Sequence, residues 1–199
     1  LKQRFQYLLG VNKDPYDNYN YIADFLKQNN LKADFFFLLG SYGKMDKNIN
    51  PKNTNFKKLI KLIYRDHKVG IHPSYRSFNK IDIVKQEIDL LKETINEEIT
   101  QSRFHYLRFS FPKSFQILNH LGIKYDYSIG YTDRVGFRAG TCTPFNFYDL
   151  ENEITTQLII VPFCYMDGVL NDHFKYSCKS SIEIIRNLKN NVKNVNGQF

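Results

Sequence analysis

Short apolar runs alternate along the chain with longer stretches in which apolar residues recur every three or four positions. Ala33 to Leu39 (ADFFFLL) is apolar apart from Asp34 and is closed by Gly40. Val69 to Ile71 is a second short run and Gln157 to Phe163 (QLIIVPF) a further one, and Ile123 to Ser128 also reads as a strand. Runs of this length suit strands buried on both faces of a parallel sheet. Phe104 to Phe109 (FHYLRF) alternates and predicts one more strand. Residues 80–98 give the cleanest helical signal: Ile81, Val84, Ile88, Leu91 and Ile95 share one face and charged residues fill the other. Helices are also predicted over Tyr16 to Gln28, after Asp14-Pro15, and over Phe56 to Asp66, Ser114 to Leu121 and residues 180–192. Gly136 to Tyr148 reads as a loop with a short strand at its start.

Strand and helix alternate at least four times, which predicts an α/β domain with a parallel sheet. The pattern alone leaves a doubly wound sheet and a barrel open. No glycine-rich phosphate loop comes after the first strand, which argues against dinucleotide binding. No repeat, linker or low-complexity tract divides residues 1–199, so a single domain is expected.

Composition adds a few exclusions. The 199 residues are 42% hydrophobic and 24% charged, the balance of a folded globular chain. The net charge of +8 is spread along the sequence rather than massed in an arm, and no zinc-finger spacing or basic groove-entering helix is present. Nucleic acid is therefore not an expected partner, and anionic polysaccharide suits the charge better. Cys142, Cys164 and Cys178 form no C-x-x-C pair and no disulfide framework; the first two read as small buried residues. No apolar run reaches transmembrane length.

In parallel α/β folds the chemistry gathers where strands end. His72 stands directly after the Val69–Ile71 run. Arg103, His105 and Arg108 lie before or on the next predicted strand, Asp126 on the one after, and Asp167 beyond the last. Arg108 on an apolar strand needs a carboxylate partner, and Asp126 is the candidate. Arg138 sits in the GFRAGT loop. His67, His120 and His173 read as surface residues.

The segments VGIHPSY (69–75), SRFHYLRFSFP (102–112), GIKYDYSIGY (122–131), GFRAGTCTPFNFYDL (136–150) and PFCYMDGVL (162–170), with DPYDNYNYI (14–22), together resemble a bacterial branch of the polysaccharide deacetylase-like proteins, related to carbohydrate esterase family 4. The resemblance implies a distorted (β/α) TIM-like barrel with its first and last strands incomplete or missing. It implies a hydrolase that cleaves carbon–nitrogen amide bonds, removing acetyl groups from a polysaccharide or oligosaccharide with the help of a divalent metal, zinc in most of the family. His72 matches the first His of the family's H-x-x-x-H metal motif, but Arg76 stands where the second should be. His105 is then the candidate to supply the missing ligand. Arg108, with Pro112 after it, resembles the Arg-Pro motif that orients the catalytic base, and Asp126 its acidic partner. Tyr75, Arg76, Arg103, Arg138 and Asp167 are the expected substrate contacts. The family's Asp-Asp motif is expected before Leu1, and its final His motif after a strand starting at Gly197-Gln198-Phe199. The alternative is a non-catalytic glycan-binding relative with a degenerate metal site. Bacterial origin is implied, with either cytoplasm or cell envelope as the location.

Overall fold

The computed structural model describes residues 5, 6, 9–11 and 17–199. Two units can be distinguished, Leu1–Asp34 and Phe35–Phe199. In the first, helix α1 spans Tyr19–Gln28; the Asp14-Pro15 start expected for it lies outside the described residues.

The larger unit is built on a six-stranded sheet. Its strands are β1 (Asp34–Phe37), β2 (Lys68–Ile71), β3 (Gln101–Ser102), β4 (Tyr125–Asp126), β5 (Phe145–Asp149) and β6 (Ile154–Ile160). The order across the sheet is β1-β2-β3-β4-β6-β5. Neighbours β2–β3, β3–β4 and β4–β6 are parallel, and β5 returns antiparallel on β6 as a hairpin. Successive strands therefore add on one side without the reversal that marks a doubly wound sheet. Helices α2 (Thr54–Tyr64), α3 (Ile81–Ile95) and α4 (Lys113–His120) fill the crossovers, and α5 (Cys178–Asn194) comes after the sheet. No described helix is long and apolar enough to cross a membrane.

Local chemistry sets the helix ends. The Asn53 side chain accepts from the Asn55 and Phe56 amides and starts α2. Asn96 takes the left-handed conformation that closes α3. The apolar face read from residues 80–98 is the buried one: Val84, Ile88 and Leu91 lie in the core. On the sheet side an aromatic cluster packs Phe115 against Phe104, Phe109, Phe111 and Phe147.

Three expectations from the sequence are corrected. FHYLRF is not a strand: β3 ends at Ser102 and His105–Leu107 forms a 3-10 turn. Tyr106 and Leu107 have φ of 57° and 48°, which no strand accommodates. The alternation there comes from Phe104 and Phe109 anchoring a loop in the aromatic cluster. The strand expected at the start of the Gly136–Tyr148 stretch lies instead at its end, as β5, because Phe147 needs the core and the glycines do not. Residues 197–199 form no strand; the Gln198 amide donates to the Cys142 carbonyl. Cys164 is buried as read, Cys142 only partly, and Cys178 is exposed.

The parallel strands are in register at their C-terminal ends. Ile71 pairs with Ser102, Ser102 with Asp126, and Asp126 with Ile160. All four are 0% exposed. A carboxyl group in such a row needs donors. Asp126 accepts from Ser102 Oγ (2.6 Å), from the Ser128 amide (2.9 Å) and from Ser128 Oγ (2.9 Å). Burial nevertheless outweighs these bonds and raises its pKa to about 6.

This packing has measurable consequences. Leu91→Ala empties a fully enclosed site and costs about 2–5 kcal/mol by denaturant titration, while Lys85→Ala on the solvent face of α3 costs less than about 0.5 kcal/mol. Asp126 gives a pH signature. Between its ordinary value near 3.8 and about 6 the folded chain holds a proton that the unfolded chain has released. Stability therefore falls as pH rises through that window, by on the order of 3 kcal/mol once both states are ionised. Asp126→Asn removes this slope, so urea midpoints at pH 4 and pH 7 differ less in the variant; an unchanged slope would show that Asp126 is not its source.

Candidate functional site

Beyond each strand end the backbone ladder continues for one residue. The amides of His72, Arg103, Tyr127 and Val161 donate to the carbonyls of Phe37, Ile71, Ser102 and Asp126. His72 and Arg103 are thus neighbours at one edge of the sheet. They line a cleft of about 550 Å³, together with Phe104, Tyr106, Thr132 and the helical segment around Met166 to His173. That segment includes a π-helical turn over Val169–His173, a feature often met at functional sites.

His72 donates from Nδ1 to the Arg103 carbonyl, which leaves Nε2 with its lone pair. Burial lowers its pKa to about 4, and the neighbouring His105 pushes in the same direction, so the ring is neutral at pH 7. The two imidazole centroids are 4.9 Å apart. His105 Nδ1 lies 3.0 Å from Asp46 Oδ1. Asp46 also accepts from two backbone amides, so it is the acceptor here and His105 Nδ1 the donor, and His105 Nε2 makes no hydrogen bond among the described residues.

Asp46 is a site residue that the sequence reading does not single out. It lies in the loop after β1, is 1% exposed, and accepts from the Tyr75 amide (2.7 Å) and the Arg76 amide (3.3 Å) as well as from His105. Next to it, Glu87 of α3 accepts from the Ser74 amide at 2.9 Å, and burial raises the Glu87 pKa. Three successive amides of the segment after His72 are therefore held by two buried carboxylates. Asp46 lies nine residues past the end of β1, in the loop to which the strand-end rule points, but nothing in its spacing marks it out from the other polar residues there. Asp172 and His173 also line the cleft, and nothing in their spacing marks the π-helical turn that brings them there.

The expected pairing of Arg108 with Asp126 is corrected. Arg108 donates from Nη1 to the Tyr75 carbonyl at 2.7 Å, and its guanidinium lies 3.8 Å over the Tyr75 ring and 4.5 Å over Phe78. Stacking between two rings replaces the carboxylate it was expected to need. The guanidinium whose charge reaches Asp126 is that of Arg103. Among the other expected substrate contacts, Arg103 lines the cleft and Tyr75 stands edge-on to Tyr106, a cleft residue. Arg76 and Asp167 are exposed, and Arg138 is exposed with its guanidinium 5.2 Å from the Phe109 ring centre.

A zinc ion of the catalytic kind takes three protein ligands. His72 and His105 offer two bare nitrogens, but both Asp46 oxygens are engaged. Among the described residues no group of three or more His, Cys, Asp or Glu is placed to hold a metal ion. These residues do not by themselves make a catalytic zinc site.

No protein-family profile and no curated protein matches the chain. Solved structures do. A polysaccharide deacetylase assignment has been given to a Mycobacterium smegmatis protein that superposes with a TM-score of 0.60 at 14% identity, over 92% of this chain and 62% of that one. IcaB from Ammonifex degensii (14% identity, TM-score 0.45, 58% of this chain and 56% of that one) and the polysaccharide deacetylase Bc1974 from Bacillus cereus (24%, 0.41, 59% and 57%) are also similar. The chain spans about 62% of the length of the Mycobacterium smegmatis protein. At 14% identity the likeness to the Mycobacterium smegmatis structure is one of fold: the chain has the α/β fold of the polysaccharide deacetylase-like proteins.

Proposed function

We propose that this chain is the hydrolase-type domain of an enzyme that removes acetyl groups from a glycan. The observation that carries the reading is the Asp46–His105 pair, set 4.9 Å from the neutral His72 ring at the strand ends that flank the cleft. The deacetylase-like fold supports the same reading. In it, Asp46 fixes the His105 ring so that Nε2 takes a proton from water as its oxygen bonds to the acetyl carbonyl carbon. The carbon–nitrogen bond then breaks and His105 returns the proton to the departing amine. His72, held through Nδ1 by the Arg103 carbonyl, lines the cleft with its neutral ring.

The resemblance to carbohydrate esterases implies a divalent ion. His72 and His105 would hold it through Nε2, in which case His105 is a ligand and cannot also carry the proton; among the described residues no third ligand completes the set. A second reading, a glycan-binding relative without catalysis, is favoured by that incomplete ligand set and by Arg76 at the second His position of the motif.

Two measurements separate these readings. Acetate release from N-acetylglucosamine oligomers is expected from the intact protein, and His105→Ala is expected to lower it by about 10²-fold or more, as loss of a general acid–base does. Binding of the oligomers without acetate release would favour the second reading. Zinc content, measured on wild type, His72→Ala and His105→Ala, is expected to fall in both variants. Zinc retained in full by His105→Ala would remove His105 from the ligand set.

A further inference from the structure

Arg103 is placed differently from Arg108 and Arg134. Arg134 is paired with Asp133, and Arg108 is sandwiched between two rings. Arg103 is largely buried on the wall of the cleft, and among the described residues no carboxylate lies within 4.0 Å of it. Its Nη1 donates to the Tyr127 carbonyl at 3.0 Å. Nε and Nη2 make no hydrogen bond within the described residues. The nearest acid acting on it, Asp126, has its oxygens engaged by Ser102 and Ser128. The guanidinium carbon lies 4.1 Å over the centre of the Phe163 ring. That ring has room only because residue 130 is glycine: a Cβ there would come within 2.1 Å of it. The result is an oriented, poorly solvated positive charge with two donor groups unspent. A guanidinium offers its donors as a planar fork that matches an oxyanion.

We infer that the cleft binds a sugar bearing an oxyanion substituent, a carboxylate or a sulfate ester, and that Arg103 is the residue that reads it. This rests on the glycan reading above and narrows it to an acidic glycan. Asp172 is the one carboxylate among the described residues lining the cleft, and it is exposed to water, where its repulsion is screened. The net charge of +8 favours approach of such a polymer.

The test is binding of D-glucuronate, D-glucose 6-sulfate and D-glucose to the intact protein, monitored by NMR at low salt and at about 0.15 M salt. At least one charged sugar is expected to bind at least about tenfold more tightly than glucose, with an advantage that shrinks in salt. Whichever charged sugar leads identifies the substituent. Arg103→Gln should bring its affinity down to that of glucose, and Arg103→Lys should restore part of it. Equal binding of all three sugars, or no binding of either charged one, overturns the inference in wild-type protein alone, whether or not the variants fold. Acetate release is measured separately. Anion preference without hydrolysis sinks the deacetylase reading and keeps this one; hydrolysis without anion preference does the reverse.

Discussion

The arrangement depends on four parallel strands ending in register. Ile71, Ser102, Asp126 and Ile160 form one buried row, and the residue after each strand end is still held by a ladder hydrogen bond. His72 and Arg103 therefore leave the sheet side by side at fixed height. A slip of one residue would turn each of these side chains to the other face. It would also take Ser102 away from Asp126 and leave a carboxyl group in the core with fewer donors than it needs. The same row that aligns the site thus penalises misalignment.

Burial works against the charged forms of ionisable groups near the sheet. His72 is neutral at pH 7, and the Asp126 pKa is pushed up to about 6. Serines, a backbone carbonyl and aromatic faces take the place that counter-ions hold elsewhere. Arg103 is the exception: burial lowers its pKa too, yet a guanidinium stays charged under all ordinary conditions. At contact distance its charge is met by a ring face and one carbonyl, and Asp126 acts on it only from beyond ion-pair distance.

Much of the fold is legible in the sequence because short apolar runs and the three-four repeat of residues 80–98 report burial directly. His72 is found by looking one position past the end of such a run. The pattern fails where two residues with positive φ come after a strand only two residues long, since Phe104 and Phe109 mimic alternation while anchoring a loop. The partner of Arg108 is not legible because a linear reading sees a cation and an acid but not the rings of Tyr75 and Phe78 that close over it. Asp46 is hidden for a related reason: its role is set by donors from two distant segments, at positions 75–76 and 105, which no local spacing encodes.

Asp46 has a consequence for how this scaffold can be altered. One side chain ties the loop after β1 to the loops after β2 and β3, through two backbone amides and an imidazole. Strand-end loops on barrel-like folds are ordinarily exchanged one at a time. Here the three form a single inheritable unit. Lengthening any one would release the others, so a transplant of this site into a different framework would have to carry all three loops together.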